Sequence, residues 1–310
     1  MTDIHAEPTR TGLYGEPPAE LVEIPADARQ CSPLIPGSAA LEEAPERTLD
    51  RFILAAPGGL QERRHVLALA LKALKPGGDI IAIAPKKKGG QRLAGDLESL
   101  GCTDVSISSK SHCKIAQCTS PDDLTAINEA IAAYGPRLDE DLGLWTRPGV
   151  FAWDRVDPAT ALLMDTMPDL AGRGADLGCG LGILAHRVLQ SEAVTELTLV
   201  DIDRRAVEMA WRNVGDDRVK VRWEDARTGL QDISGLDFIV MNPPFHEGGD
   251  ENRSLGQAFI KSASKLLRKG GKLWLTANRH LPYEATLDDC FSSWTKPADQ
   301  GGYKIIEATR

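Results

Sequence analysis

Short apolar runs alternate with stretches of helical periodicity along most of the chain. The run "RFILAAP" predicts a buried strand that ends at Pro57, and "LQERRHVLALALKALK" then places apolar residues along one helix face. The glycine pair at 77–78 predicts the end of that helix, and "DIIAIAP" predicts the following strand. A helix at 92–100 and a strand in "HCKIAQC" continue the alternation, which is typical of the α/β class.

The second half of the chain repeats this alternation with longer elements. A strand in "GADL" leads into a glycine loop, and strands and helices then follow one another to the end. This order predicts a doubly wound, mainly parallel, Rossmann-like sheet with a ligand crevice at the carboxyl ends of its strands. After the loop, the predicted strands are "ELTLVDID", "VKVRWED", "LDFIVMNPP", "KLWLTAN" and "YKIIEAT", and the predicted helices are "ILAHRVLQ", "RRAVEMAWRNV", "QAFIKSASKLLRK" and "EATLDDCFSS".

The two halves contain an internal repeat. "FILAAPGG" aligns with "FIVMNPPF", "KALKPGGDIIAIAPKK" with "KLLRKGGKLWLTANRH", and "HCKIAQCTS" with "GYKIIEATR". Any two α/β units could share a strand, a helix, a Gly-Gly pair and a strand, but the matched final strand favours duplication. Because the first copy lacks both the glycine loop and the Asn-Pro-Pro sequence, we predict that it has lost its chemistry.

These patterns divide the chain into four segments. Residues 1–46 are rich in proline and predict an extended segment, and residues 47–122 predict the degenerate α/β copy. Residues 123–144 predict a linker with a helix, and residues 145–310 predict the catalytic domain. The total of 310 residues agrees with two domains of about 150 residues each.

Composition and charge indicate an ordinary globular protein. Hydrophobic residues make up 42% and charged residues 26% of the chain, and no apolar run approaches the roughly 20 residues of a membrane span. The N-terminus lacks the apolar core of a secretory signal, so we expect a cytoplasmic protein. The six cysteines form no Cys-x-x-Cys pair, and no metal site is predicted. The net charge of −9 argues against a general nucleic-acid binder, but not against an enzyme with a local basic face.

The first candidate site is the glycine loop in "DLGCGLG", with Asp176 followed by Gly178, Gly180 and Gly182. Closely spaced glycines let the backbone turn sharply and approach a ligand without Cβ collisions. The spacing differs from the Gly-x-Gly-x-x-Gly pattern of dinucleotide sites. With an acid two residues before the first glycine, it resembles the S-adenosylmethionine loop of class I methyltransferases, in which the acid meets the methionine amino group. A nicotinamide enzyme and a purely structural turn remain alternatives for the loop alone.

Acidic residues end the next two strands. Asp201, in "LTLVDID", has the position and residue type for accepting hydrogen bonds from the two hydroxyls of a ribose. Asp203 has a structural explanation as the N-cap of the following helix, so Asp201 is the better ligand. Asp225, after "VKVRWE", is predicted to face an adenine amino group, although a solvated loop acid is the alternative.

The stretch "MNPPFH" contains the predicted catalytic residues Asn242, Pro243, Pro244 and Phe245. The amino group of an amide or base is a poor nucleophile because its lone pair is delocalised. The Asn242 side-chain oxygen and the Pro243 carbonyl can accept its two N–H bonds, which orients the lone pair and stabilises positive charge on the nitrogen. The prolines stiffen the loop, and Phe245 can stack on a planar base. A rigid strand terminator is the structural alternative.

These motifs resemble the amino-methylating class I methyltransferases with an Asn-Pro-Pro-aromatic motif. Within that class, the chain is similar to the bacterial guanine-N2 ribosomal RNA methyltransferases of the small-subunit methyltransferase C type and their large-subunit relatives. The resemblance covers about 145–310 and includes "PGVFAWDRVDPATALLM" and "LPY". It implies S-adenosylmethionine as cofactor, bound also at Asn242, a degenerate methyltransferase-like N-terminal domain, and a guanine of ribosomal RNA, most often 16S, as substrate.

Other functions remain open at this stage. Glutamine-N5 methylation of a protein and adenine-N6 methylation use similar motifs, and a catalytically silent RNA-binding assembly factor could keep the fold. We expect ribosomal RNA or a ribosomal subunit as partner, no membrane, and a monomer with an internal pseudo-dimer. The candidate RNA contacts are the basic residues Lys86, Lys87, Lys88, Arg92, Arg253 and Lys261.

Overall fold

The chain folds into two compact units, Met1–Pro136 and Arg137–Arg310. The division falls inside the expected linker at 123–144: its helix belongs to the first unit, and its later residues belong to the second. The second compact unit therefore begins eight residues before position 145, the start predicted for the catalytic domain. The computed structural model describes residues 10–228, 230–244, 246–247, 250–251 and 253–310.

The first unit is a six-stranded sheet with three helices. Its strands are β1 (Thr11–Tyr14), β2 (Arg29–Gln30), β3 (Leu49–Ala55), β4 (Leu74–Pro85), β5 (Ser106–Lys110) and β6 (Cys113–Thr119). Its helices are α1 (Leu60–Ala73), α2 (Leu93–Glu98) and α3 (Thr125–Tyr134). The strand order is β2-β1-β3-β4-β6-β5, and the strands are parallel to one another except for β6, which is antiparallel to both of its neighbours.

The proline-rich segment expected to be extended contributes β1 and β2 to this sheet. These strands are parallel to β3, and Tyr14 and Cys31 lie in the core beside them. The hydrophobic pattern of the sequence does not predict β1, because a side chain of the neighbouring strand β3 occupies the space where β1 has a glycine. Gly12 pairs with Phe52, and a Cβ on Gly12 would collide with the Phe52 ring. The degenerate copy therefore begins near residue 10, well before residue 47.

The glycine pair at 77–78 lies inside β4, not at a helix end. Helix α1 ends at Ala73, because Leu74 already has extended backbone with ψ 140°. At this point the pairing of β3 with β4 shifts register between Leu49 and Arg51. The pair therefore forms a bulge, for which the positive φ of 73° at Gly77 favours glycine.

The second unit is a seven-stranded sheet with five helices and two short hairpins. Its strands are β7 (Arg137–Asp139), β8 (Leu144–Thr146), β9 (Gly172–Leu177), β10 (Val194–Asp201), β11 (Val219–Trp223), β12 (Leu236–Met241), β13 (His246–Glu247), β14 (Asp250–Glu251), β15 (Leu267–Asn278), β16 (Ser293–Gln300) and β17 (Tyr303–Thr309). Its helices are α4 (Pro158–Thr166), α5 (Ile183–Val188), α6 (Arg204–Asn213), α7 (Arg253–Leu266) and α8 (Glu284–Cys290).

The main sheet of the second unit has the order β11-β10-β9-β12-β15-β17-β16 and is parallel except at β17. The chain leaves β9 toward β10 on one side, and later places β12 on the other side. This reversal of strand order opens a crevice at the carboxyl end of β9. Among the described residues, no helix is both long and apolar enough to cross a membrane.

The duplication predicted from the sequence agrees with the two sheets. Strands β1, β3, β4, β6 and β5 stand in the same order and directions as β9, β12, β15, β17 and β16. The pairing of Gly12 with Phe52 recurs between Gly174 and Phe238, where a Cβ on the glycine would again collide with the ring. The mixed α/β class and the Rossmann-like sheet of the second unit are confirmed, and the first unit repeats five strands of that sheet.

Candidate active site

The glycine loop lies at the carboxyl end of β9, in the crevice between β10 and β12. Gly178, Gly180 and Gly182 all have positive φ, at 81°, 54° and 82°, a conformation that side chains with a Cβ rarely adopt. At Gly182 an added Cβ would also lie 2.8 Å from Cγ2 of Val214, so α6 packs directly on the loop. The backbone conformation of the loop therefore favours glycine at all three positions, whether or not a ligand is bound.

Asp176 is fully buried in β9. Its side chain is 0% exposed, and neither carboxyl oxygen has a hydrogen-bond partner in the described part of the chain. Burial and, secondarily, the charge of Asp201 raise the pKa of Asp176 to about 8. A buried carboxyl without partners is costly unless a ligand supplies them. The position therefore fits a cationic group bound beside the glycine loop.

Asp201 ends β10 and is held in a fixed orientation by backbone donors. Its Oδ2 accepts the N–H of Gly180 at 2.9 Å, and its Oδ1 accepts the N–H of Asp203 at 2.9 Å. Burial raises the pKa of Asp201 to about 6 against the lowering effect of these hydrogen bonds. Each oxygen keeps acceptor capacity for a further donor, as a ribose diol would require. Asp203 is the N-cap of α6, as predicted, with Arg205 N–H as its donor.

Asp225 follows β11 at the same edge of the sheet, but its carboxylate is already engaged. Arg227 donates its guanidinium hydrogens to both oxygens, with Nη2 at 2.8 Å from Oδ2 and Nε at 2.9 Å from Oδ1. Burial acts to raise the pKa of Asp225, and the hydrogen bonds from Arg227 outweigh it and lower the pKa. An adenine contact through this carboxylate would have to share it with Arg227, so it stays a prediction.

Asn242 stands directly after β12 and next to the glycine loop. A Cβ added at Gly178 would lie 4.0 Å from the Asn242 carbonyl oxygen, which places the two motifs side by side. Asn242 is half-buried, Pro243 is buried and Pro244 is exposed. Phe245 lies outside the described residues, and its predicted stacking stays a prediction. The crevice thus brings Asp176, Asp201 and Asn242 to one end of three adjacent strands.

Two further residues at this site escape sequence reasoning. Asp157 and Thr160 lie at the start of α4 and accept hydrogen bonds from the side-chain amide of Asn242. Its Nδ2 lies 3.0 Å from Asp157 Oδ2 and 2.9 Å from Thr160 Oγ1. The sequence "DPAT" is a helix start, with an N-cap aspartate and proline at the first helical position. That signal predicts the helix, but it carries no information about Asn242.

Other sequence-predicted elements have structural roles or remain on the surface. Leu281 and Tyr283 of the "LPY" sequence are buried, and Gly256 of α7 leaves the space that the Tyr283 ring occupies. Lys86, Lys87 and Arg92 are exposed in the first unit, and Lys261 is exposed on α7. In the described part of the chain, no three His, Cys, Asp or Glu side chains cluster as metal ligands.

The sheet with its reversal point, the Asp-x-Gly-x-Gly-x-Gly loop and the strand-end acid together define the class I S-adenosylmethionine-dependent methyltransferases. The residues fit this cofactor, because Asp176 offers an unpartnered buried carboxyl to its ammonium group and Asp201 offers acceptors to its ribose. The sequence pattern of the Methyltransferase small domain family matches residues 141–307. The chain belongs to this family, and the resemblance found in its motifs is confirmed.

Named relatives cover most of the chain. The ribosomal RNA small subunit methyltransferase C of Acinetobacter baylyi is 30% identical over 274 residues, spanning 85% of this chain and 80% of the relative. The protein of the same name from Shewanella amazonensis is 33% identical over 252 residues, spanning 78% of this chain and 72% of the relative. A Thermus thermophilus 16S rRNA N2 methyltransferase, solved with AdoMet and guanosine, has a TM-score of 0.77 at 23% identity. That structure matches 97% of this chain and 88% of its own, so the two-unit fold is shared.

Proposed function

We propose that the chain transfers a methyl group from S-adenosylmethionine to the exocyclic N2 amine of a guanine in ribosomal RNA, with 16S RNA as the favoured substrate. The observation that carries this proposal is the orientation of Asn242. Its amide nitrogen donates hydrogen bonds to Asp157 and Thr160, so the side-chain oxygen is turned away from these two residues, and the Asn242 backbone lies next to the glycine loop. A hydrogen-bond acceptor at this position can bind the N–H groups of a target amine.

The protein would contribute to catalysis by positioning the target amine and by stabilising the charge that develops on its nitrogen. Bound S-adenosylmethionine supplies a methyl group already activated by its sulfonium charge. Asn242 Oδ1 and the Pro243 carbonyl would accept hydrogen bonds from the two N–H groups of the guanine amine, turning its lone pair toward the methyl group. The same oxygens stabilise the positive charge that develops on the amine nitrogen. As the N–C bond forms, the methyl carbon would leave the sulfur as a neutral thioether, and the methylated nitrogen would pass its surplus proton to water, so no acid-base triad is required.

The cofactor contacts are proposed in the same way. Gly178, Gly180 and Gly182 would let the backbone approach the cofactor closely. Asp176 would hold the ammonium group, and Asp201 the ribose hydroxyls. Asp225 is proposed for the adenine amino group while it remains paired with Arg227.

Comparison with the first unit argues against the hypothesis that the second unit is catalytically silent. At the end of β3, the Pro57 and Gly58 carbonyls accept hydrogen bonds from Arg63, at 3.2 Å and 2.8 Å. The Arg63 side chain is buried and paired with Asp96, so this part of the first copy is filled by the protein itself. In the sequence alignment of the repeats, Ala56 stands where the second unit has Asn242. The second unit keeps its loop, its Asp201 and its Asn242.

Exposed aromatic residues around the site support RNA as the substrate class. Trp145, Phe151 and Trp211, here called the exposed aromatic group, include two of the most exposed large apolar residues, Phe151 at 59% and Trp211 at 67%. The Arg212 guanidinium lies over the Trp145 ring at 5.0 Å. Asn213 links Trp145 to the glycine loop, donating to the backbone carbonyls of both Trp145 and Leu181 at 3.0 Å. Proteins recognise unstacked RNA bases by stacking them on aromatic rings and arginine planes.

The test is methyl transfer to defined RNA substrates. The purified protein is incubated with S-adenosylmethionine carrying a labelled methyl group and with naked 16S RNA, small subunits or large subunits, followed by nucleoside analysis. We expect label in N2-methylguanosine, and the Asn242→Ala variant should bind the cofactor but transfer nothing. Label in N6-methyladenosine, or in a protein glutamine, would replace the proposal with one of its alternatives. Gel filtration in the same preparation tests the predicted monomer.

A further inference from the structure

We propose that Asp157 and Thr160 are positioning residues that fix the Asn242 amide with its oxygen toward the target amine. This inference deepens the proposed function and rests on it. It concerns a residue pair separated from Asn242 by more than 80 positions in sequence, on the helix that precedes the glycine loop.

The orientation follows from the hydrogen-bonding capacity of the partners. An amide oxygen and an amide nitrogen have nearly the same size, so packing alone hardly distinguishes the two rotations of Asn242. An ionised carboxylate only accepts hydrogen bonds, so Asp157 Oδ2 at 3.0 Å must face the Asn242 nitrogen. Rotation of the amide would bring two oxygens together and lose both contacts. Asn242 Oδ1 is thereby left facing away from α4.

Thr160 favours the same orientation of the Asn242 amide, because its hydroxyl acts both as a hydrogen-bond donor and as an acceptor. It donates to Asp157 Oδ2 at 3.3 Å and accepts from Asn242 Nδ2 at 2.9 Å. With its proton directed to Asp157, the hydroxyl presents a lone pair to Asn242. Both partners therefore select the amide NH2, and together they can engage its two hydrogens.

The pair is itself held by the start of α4. Asp157 Oδ2 accepts the Thr160 N–H at 3.0 Å, so the carboxylate that faces Asn242 is also the helix cap. Pro158 fixes the backbone at the first helical position, and Thr160 is buried. Because α4 packs against β15 and β17, the cap is fixed relative to the sheet that carries Asn242. A rigid support of this kind is what precise placement of a reacting group requires.

The charge of Asp157 adds to the effect of orientation. A carboxylate on the nitrogen side of an amide polarises the group and makes its oxygen a stronger acceptor. That polarisation is felt most when the target amine becomes positively charged in the transition state. A base that presents an acceptor in place of an amine would meet this oxygen unfavourably. The pair therefore contributes to the choice of an amine as well as to the rate.

The experiment separates positioning from helix capping. Asp157→Ser keeps a side chain that caps helices but removes the charge and the reach to Asn242. Thr160→Val removes the hydroxyl, and Thr160→Ser retains it. Asp123→Ala is the matched control, because Asp123 accepts the N–H and hydroxyl of Thr125 at the start of α3 in the first unit.

The expected result is a loss in kcat of roughly 100-fold for Asp157→Ser, the size expected when a reacting group is misplaced by about an ångström. The KM for S-adenosylmethionine and the Tm should stay close to those of the parent. Thr160→Val should lose activity and Thr160→Ser should recover most of it. Asp123→Ala should be as active as the parent.

A spectroscopic readout reports the amide directly. The chain has five asparagines, so labelling asparagine with 15N gives few side-chain NH2 signals, and Asn242→Ala identifies the pair that belongs to Asn242. This pair should move in Asp157→Ser and stay in place in Asp123→Ala. If it does not move, or if the folded Asp157→Ser variant keeps the parent kcat, the positioning role is wrong. Failure of the parent to methylate RNA would instead overturn the proposed function, while the NH2 signals still test the orientation.

Discussion

The negative charge of Asp201, at the end of β10, raises the pKa of Asp176 in the neighbouring strand β9. Burial is the larger cause, and the two together bring the pKa of Asp176 to about 8, while that of Asp201 is about 6. A protein gains nothing for its own stability by burying two carboxyl groups at one strand edge. The arrangement becomes favourable when a ligand brings a positive charge and hydroxyl donors to that edge.

Cofactor binding should therefore be linked to proton release. An ammonium group at Asp176 favours the carboxylate and lowers its pKa in the complex, so below about pH 8 binding expels a proton. We expect the affinity for S-adenosylmethionine to rise with pH from 6 toward 8, by up to about tenfold per unit. Calorimetry in buffers of different ionisation enthalpy measures the released proton. Asp176→Asn should weaken binding and remove the pH dependence, and a pH-independent affinity in the parent would contradict this role.

Stability without cofactor should change with pH in the opposite direction. An unfolded aspartate has a pKa near 3.9, so between about pH 4 and 8 the folded chain holds more protons at Asp176 than the unfolded chain does. Stability contributed by this group is highest at low pH and falls as pH rises through that window. Asp176→Asn should therefore raise Tm relative to the parent at pH 8, by about 2–4 °C for each kcal/mol relieved, and much less at pH 5. An equal effect at both pH values would show that the carboxyl is not buried as described.

The loop glycines should differ in their tolerance of a methyl group. Gly180 has a left-handed backbone but open space around an added Cβ, so Gly180→Ala should cost about 1–2 kcal/mol. Gly182→Ala adds an overlap with Val214, and the combined cost should exceed about 3 kcal/mol. Chemical denaturation measures both, with cofactor titration alongside. The prediction is wrong if Gly182→Ala is the milder of the two.

The exposed aromatic group should act on RNA and not on the cofactor. Stacking of a base on an aromatic ring contributes about 1–3 kcal/mol, so Phe151→Ala or Trp211→Ala should raise the KM for RNA about 5-fold or more. The KM for S-adenosylmethionine should not change. Leu34→Ala is a suitable control, because Leu34 is an exposed apolar residue of the first unit. If all three variants behave alike toward RNA, these rings are not RNA contacts.

The sequence predicts those features of the fold and site that a few adjacent residues encode. Strand and helix alternation, the glycine loop and Asn242 can each be found from a few adjacent residues, and the repeat from matched strands. Strand β1 escaped because Gly12 has no side chain and yields its space to Phe52. The pairing of Asp225 with Arg227 also escaped, although the two residues are neighbours, because spacing does not reveal which way a carboxylate turns. The contact of Asn242 with Asp157 depends on the packing of α4 on the sheet, which no local pattern contains.

The buried Arg63 determines what would be needed to build an Asn242-like site in the first unit. Its guanidinium binds both the Pro57 and Gly58 carbonyls and the Asp96 carboxylate, with 1% of its surface exposed. Introducing asparagine at Ala56 would place an amide beside carbonyl groups that already have a permanent donor. Removing Arg63 to free them would break its ion pair with the buried Asp96 carboxylate, which would keep its ion pair with Arg64, and we expect this loss to destabilise the first unit. An Asn242-like amide in the first unit would therefore need coordinated changes at Ala56, Arg63 and Asp96, and a single substitution would not suffice.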